Sequence, residues 1–353
     1  MTSAGTSRSR SHTIEVRRDL ITSASTDRVS STATSSQGRS DPVSVGSTWH
    51  DAPVSSRTEP RPVAVLAVTA AAVLFATTGT ARSLGPDGVD AWAVGTWRIL
   101  IGSVALWALS RTTPRPKAGD RLAAPGLLLG GLGVAAYQPG FFIATDRCGV
   151  ALGTLIALGS GPVFAAAIDA AVTRVPPTAR WWTATTTMVI GVALLGSGDG
   201  ATGVALDGVG IAAGLAAGAG YAIYAVSTRR AIAHGVESTR ALAWQFSIGA
   251  LVLAPGLALV SSSGLATGAG MAMVAHLGVL TVGVAYLLYG IGLRHLKPAT
   301  AVSLTVIEPV AATTIAAVVL DERPSTLGWV GAGIVIIGFA LLSRQRGEES
   351  RAG

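Results

Sequence analysis

Apolar stretches of about 20 residues alternate with short polar breaks from Pro62 onward, and a stretch of that length crosses a bilayer once as a helix. The pattern predicts ten spans, at residues 62–80, 89–109, 122–142, 148–170, 181–198, 208–228, 239–260, 270–293, 298–320 and 326–343. The least distinct boundary is near 142–148, where only Asp146 and Arg147 separate two spans. The chain is therefore predicted to be an all-α membrane protein with ten transmembrane helices.

Composition excludes the soluble classes of protein. The 353 residues are 50% hydrophobic and 13% charged, whereas soluble domains have roughly 25% charged residues. Of the 45 charged residues, 14 lie in residues 1–61 and 5 in residues 344–353, so the long middle is more apolar still. The net charge of +7 therefore indicates membrane topology rather than nucleic-acid binding.

The two ends of the chain differ from the spans. Residues 1–61 are rich in Ser, Thr and Arg without an apolar period, which predicts a disordered cytoplasmic tail. A regulatory or anionic-lipid-binding tail and an unconstrained extension both fit this composition. Residues 344–353 are predicted to form a second, short cytoplasmic tail.

Lys and Arg residues are distributed unevenly between the predicted loops. If the N-terminus is cytoplasmic, the inner segments flanking the spans hold 16 of these residues and the outer loops hold 3, namely Arg82, Arg147 and Arg323. Because positive residues favour the cytoplasmic side, this bias predicts that both termini are cytoplasmic.

The two halves of the chain align at a constant offset of 147 residues without a gap. The aligned pairs are Arg82–Arg229, Trp97–Trp244, Ile101–Ile248, Gly102–Gly249, Leu106–Leu253, Arg147–Arg294, Pro162–Pro309, Pro177–Pro324, Trp182–Trp329 and Gly191–Gly338. Each copy contains five spans, an odd number, so the second copy enters the membrane inverted. Inverted repeats are typical of secondary transporters, whose solute site lies between the halves.

One segment of the second half resembles a known family. Ile307-Glu308-Pro309-Val310, followed by Leu320-Asp321-Glu322-Arg323-Pro324 and by Gly331 to Gly338, resembles the close of an EamA-type domain of the drug/metabolite transporter superfamily. The first half matches at Trp97-Arg98, Pro162 and Gly191. The resemblance implies two five-helix domains, residues 62–198 and 208–343, in a cell-membrane permease that exports small metabolites such as amino acids or toxic compounds.

Two ionisable side chains lie deep in the predicted spans. Arg98 is near the centre of 89–109 and Glu308 near the centre of 298–320, where a charge costs roughly 2.5–3.5 kcal/mol. In the repeat they align with Gln245 and Gly161, so both charges break the symmetry. Solute contact or proton coupling is one interpretation, and a structural charge pair is the other.

Prolines and aromatic residues supply the remaining candidates. Pro162 and Pro309 each remove a helical hydrogen bond and predict paired breaks beside a central site. Aromatic or amide side chains that suit an amphipathic solute are Tyr137, Gln138, Tyr221 and Tyr286. Tyr224 and Tyr289 fit either such a role or ordinary anchoring at the membrane interface.

The alternative classes have weaker support. Gly196-Ser197-Gly198-Asp199 matches the motif of intramembrane aspartyl proteases, yet Asp199 falls in a loop and no partner Asp follows a Tyr. We therefore expect no enzyme, cofactor or metal. The expected partners are a small solute, membrane lipid and, as one candidate coupling ion, protons. Uptake, a receptor or structural role, and a homodimer stay open.

Overall fold

The computed structural model describes residues 61–112, 120–196, 207–321 and 323–344. These residues form helices and connecting turns, with no β-strand among them. Ten helical segments follow one another: α1 Arg61–Ser83, α2 Ala91–Ser110, α3 Asp120–Cys148, α4 Val150–Thr173, α5 Ala179–Gly196, α6 Gly208–Ala233, α7 Ser238–Leu253, α8 Gly268–His295, α9 Pro298–Val319 and α10 Thr326–Arg344. Nearly all of the two predicted tails lies outside the described residues.

Nine of the described helices are long and apolar enough to cross a membrane. The exception is α5, because Arg180 and four threonines lower the hydropathy of its 18 residues. Large apolar side chains point away from the bundle, including Val104 at 69%, Leu251 at 72% and Val318 at 79% exposure. Such a surface is stable in lipid and costly in water, so this is a multi-pass membrane protein.

The boundary between α3 and α4 differs from the prediction. The third span was expected to end at residue 142, but α3 continues through Asp146 and Arg147 to Cys148. Gly149 alone separates the two helices and has a φ of 81°, in the region that glycine adopts without steric cost. A single residue therefore reverses the chain here.

Irregular helical segments follow α7 and lie within α8 and α9 in the second half. The 3₁₀ turn Ala254–Leu259 follows α7 at Pro255, the π-helical segment His276–Val284 occupies the middle of α8, and the 3₁₀ turn Thr305–Ile307 precedes Glu308 in α9. In the first half, α4 passes Pro162 without a change of helix type. The two prolines thus sit in different local geometries.

Carboxylate side chains cap three helices. Asp90 accepts hydrogen bonds from the backbone N–H groups of Trp92 and Ala93 at the start of α2, and Glu237 accepts from Arg240 at the start of α7. Asp90 and Glu237 are 147 residues apart, so the cap follows the repeat. Asp207 caps α6, and the donated Gly210 N–H holds the pKa of Asp207 below its usual range.

The helix contacts follow the 147-residue offset. Helix α1 of the first half packs on α8 and α9 of the second half. Its equivalent α6 in the second half packs on α3 and α4 of the first half. Likewise α2 packs on α8 while α7 packs on α3, and the pairs α2–α7 and α5–α10 each join equivalent helices. Exchanging each helix with its equivalent in the other half therefore reproduces the packing pattern.

Two glycines show this exchange at the level of atoms. A Cβ added to Gly131 of α3 would lie 2.5 Å from Ile248 Cβ, and one added to Gly278 of α8 would lie 2.5 Å from Ile101 Cβ. Gly131 and Gly278 are 147 residues apart, as are Ile101 and Ile248. The same close contact, a glycine of one helix against an isoleucine of the facing helix, thus occurs once in each half of the repeat.

Candidate functional site

All five tyrosines of the chain meet in the middle of the bundle. Tyr221 and Tyr224 of α6 stack at 5.1 Å between ring centroids, and Tyr137 of α3 lies 5.8 Å from Tyr221. Tyr286 and Tyr289 of α8 lie 5.8 Å and 6.3 Å from Tyr224. We call these five tyrosines together with Thr305, Arg98 and Glu308 the central cluster.

Tyr224 and Tyr289, which by sequence fit either a solute role or interfacial anchoring, both lie inside the bundle. Tyr224 is 2% exposed and Tyr289 is fully buried, so neither ring is available to lipid head groups. Their sequence positions near predicted span ends were misleading, because α6 and α8 continue beyond the predicted spans to Ala233 and His295. The rings therefore lie one turn or more inside the bundle.

Hydroxyl groups connect the helices around the cluster. Tyr221 donates to Thr305 Oγ1 of α9 across 2.5 Å, and Thr305 in turn donates to the Val302 carbonyl. The hydroxyls of Tyr224 and Tyr286 lie 3.1 Å apart and join α6 to α8. Helix α6 is thereby tied to both neighbours through buried hydrogen bonds.

Two phenylalanines complete the walls of the cluster. Phe246 of α7 lies 4.4 Å and Phe75 of α1 lies 5.0 Å from Tyr286, measured between ring centroids. Neither residue is among the predicted site residues. Their positions beside Tyr286 result from the packing of α1 and α7 on α8, which the sequence pattern does not indicate. Thr305 was also missed, although it precedes Glu308 by three residues and so shares its helix face.

Arg98 and Glu308 approach the cluster from opposite halves of the chain. Arg98 is on α2, Glu308 is on α9, and both side chains are half-buried. Their charges act on each other and on the hydroxyls of Tyr137 and Tyr286. Within the described residues they form no ion pair or hydrogen bond, and Arg98 Nε is buried without a partner.

Unpaired opposite charges inside a helix bundle can bind charged groups of a ligand. A guanidinium presents a fork of donors that fits a carboxylate or phosphate, while a carboxylate accepts from a cation or takes up a proton. The tyrosine rings of the central cluster offer apolar faces with hydrogen-bonding edges. The central cluster can therefore bind a small amphipathic solute with charged groups.

The other predicted site residues lie around this cluster. Gln245 of α7 is fully buried; its Oε1 is 3.0 Å from Thr228 Oγ1, and its Nε2 has no hydrogen-bond partner among the described residues. Gln138 lines a separate pocket of about 190 Å³, between α2, α3 and Leu253. Pro309 is buried directly after Glu308, and Pro162 lies within α4, whose residue Gly161 contacts Tyr221 and Val302.

Loss of the Tyr221 hydroxyl should destabilise the bundle modestly. In Tyr221→Phe the buried hydrogen bond to Thr305 disappears, which should lower the free energy of unfolding by about 1 kcal/mol. Tyr137→Phe is the matched control, because the Tyr137 hydroxyl makes no hydrogen bond within the described residues. Thermal unfolding in detergent should separate the two variants, and equal melting temperatures would contradict the assigned bond.

A bundle of apolar helices in two exchangeable halves, with unpaired charges between them, is the architecture of a polytopic membrane transport protein. Residues 62–197 and residues 208–344 each match the EamA-like transporter family. The chain therefore belongs to the EamA-like transporter family.

Two further comparisons agree with this assignment. The chain is 32% identical over 279 residues to the uncharacterized transporter YwfM of Bacillus subtilis (strain 168). The aligned region covers 79% of this chain and 93% of that protein. A protein known from a crystal structure is 21% identical, with a TM-score of 0.66, and the match covers 81% of this chain and 99% of that one. At this identity the second likeness shows the fold alone.

Proposed function

We propose that the protein is a secondary transporter of the cell membrane that exports small metabolites, such as amino acids or toxic compounds, by alternating access. One observation carries the proposal: the charges of Arg98 from the first half and Glu308 from the second both act on tyrosines of the central cluster, and the two side chains do not pair with each other within the described residues. Charges are retained at such a depth where they serve a solute or ion path.

The pseudo-symmetric packing supports alternating access. Since each half makes the contacts of the other, the two halves can exchange conformations, which would open the central cluster first to one side and then to the other. Glycine contacts allow such movement with little side-chain rearrangement. At the α5–α10 crossing, Gly191 packs on Gly331 and Gly338 packs on Ala184, again as equivalents at 147 residues.

We propose ten spans with both termini cytoplasmic. Helix α5 is the tenth, because it packs along α10 through the glycine contacts above and its 18 residues approach the length that one crossing requires. The 16-to-3 distribution of Lys and Arg supports the orientation.

A solute screen tests the function. A deletion strain and an overproducing strain are grown on a panel of amino acids, their analogues and toxic cations, and each solute that changes growth is then measured in proteoliposomes. Efflux that depends on the protein supports export, while accumulation against a gradient would show uptake, the alternative direction. Protein-independent movement of every solute in the panel would contradict the transporter proposal.

Reporter fusions test the topology. Fusions after Arg115 and after Arg346 should be active on the cytoplasmic side, and a fusion after Gly200 should be active on the opposite side, because the span count places five crossings before Gly200. A cytoplasmic reporter at Gly200 would rule out both the ten-span count and the inverted repeat. A reporter that retains activity on either side controls for expression.

A further inference from the structure

The pocket that Gln138 lines is separate from the central cluster. Its walls come from α2, α3 and the end of α7, and no residue of the central cluster lines it. Gly95 in its wall precedes Arg98 by one helical turn, and Asp90, the N-cap residue of α2, also lines the pocket. The pocket therefore lies between the central cluster and the Asp90 end of the bundle.

Two buried polar side chains in the walls of this pocket have no hydrogen-bond partner among the described residues. Thr96 is 1% exposed, and its hydroxyl oxygen is buried with no hydrogen bond. Gln138 is 6% exposed, and its side-chain amide makes no hydrogen bond within the described residues. Because an unpaired buried polar group costs free energy, two such groups lining one pocket indicate a site shaped for a polar ligand.

The equivalent positions of the second half carry different residues. At the 147-residue offset, Gly95, Thr96 and Gln138 correspond to Leu242, Ala243 and Ala285, all fully buried. Leucine occupies the space that glycine leaves open, and both polar groups are replaced by alanine. The pocket is thus specified by the first-half sequence and is not a consequence of the shared fold.

The size and walls of the pocket limit its ligand. A cavity of about 150 Å³ is known to hold benzene, so about 190 Å³ suits a ring of that size with one small substituent. Trp92 and Phe142 supply aromatic walls. The Gln138 amide presents a donor beside an acceptor, which is matched by a ligand group that also has a donor beside an acceptor.

We infer that this pocket is a second binding site, for small planar molecules that carry a carboxamide or lactam group. Gln138 pairs with the ligand amide, the Thr96 hydroxyl gives or accepts one further hydrogen bond after its side chain rotates toward the ligand, and the ring lies between Trp92 and Phe142. Binding here does not depend on the transport that we propose. It requires only the folded chain.

Benzamide is the probe, and its binding is measured by calorimetry on the full chain in lipid nanodiscs. We expect saturable binding of benzamide and little specific binding of α-methylstyrene, which has the same shape without the amide. Equal binding of both would show an apolar slot for a lipid chain and would overturn the inference. The absence of benzamide binding at millimolar concentration would also overturn it.

The site is located by variants in which pocket residues are replaced by the residues found at the equivalent positions of the second half. Gln138→Ala and Thr96→Ala combined should weaken benzamide binding roughly tenfold or more, because the ligand loses its polar partners. Gly95→Leu should block binding by filling the pocket, and Phe142 is the side chain that must give way. Thr186→Ala, at an exposed position of α5 that does not line the pocket, is the control. Unchanged affinity in the double variant would place benzamide elsewhere and refute the assignment.

Discussion

Leucine at Gly131 or at Gly278 should sharply reduce the stability of the bundle, and the two substitutions should have similar effects. A Cβ at either position would meet an isoleucine of the facing helix at 2.5 Å, and a backbone carbonyl lies behind it, at 3.1 Å from the first and 3.2 Å from the second. Neither helix can accommodate the side chain without moving apart. Overpacking of this kind typically costs about 1–3 kcal/mol.

Controls for this prediction are available in the same bundle. A Cβ at Gly126 of α3 or at Gly333 of α10 would meet nothing within 4 Å, so leucine there should leave the melting temperature nearly unchanged. Protein yield and thermal unfolding in detergent give the comparison. If leucine at Gly131 were tolerated while leucine at Gly278 were not, the symmetric contact would not hold the two halves together.

The sequence predicts the helices well because hydropathy alone dictates where a chain can cross lipid. The register of 147 residues was also readable, and the structure places the paired residues Ile101 and Ile248 in equivalent contacts. Boundaries were less predictable. Asp146 and Arg147 suggest a loop by sequence, yet the helix continues through both to Cys148, and Arg147 is exposed there, where a charge is tolerated.

The site was only partly predictable, because side-chain neighbours depend on how helices rotate. Tyr137, Tyr221 and Tyr286 were recognised from their chemistry, but the burial of Tyr224 and Tyr289 follows from the packing of α6 against α8. The π-helical segment His276–Val284 gives no clear signal in the sequence, although it sets the rotation of the following turns. Gln138 was grouped with the tyrosines and instead faces its own pocket.

Glu308→Gln should abolish most transport while the protein accumulates normally. Glutamine keeps the size and hydrogen-bonding capacity of the side chain but removes its charge. Because Glu308 makes no ion pair with Arg98 in the described residues, removing the charge breaks no structural contact. If the carboxylate binds the solute or the coupling proton, transport should fall about tenfold or more, as expected for the loss of a charged hydrogen bond.

Three measurements separate the possible roles of Glu308. Loss of active transport with preserved exchange of solute across the membrane would identify Glu308 as the proton-coupling group, since exchange moves no net proton. Loss of both would identify it as a solute ligand. A destabilised protein, rescued in part by Arg98→Gln in the same chain, would instead show a structural charge pair formed in another state of the cycle. The control is Asp87→Asn, which removes an exposed carboxylate outside the spans and should transport normally.

Wild-type transport by Glu308→Gln at every pH would exclude all three roles of Glu308. It would also contradict the proposed position of the transport site.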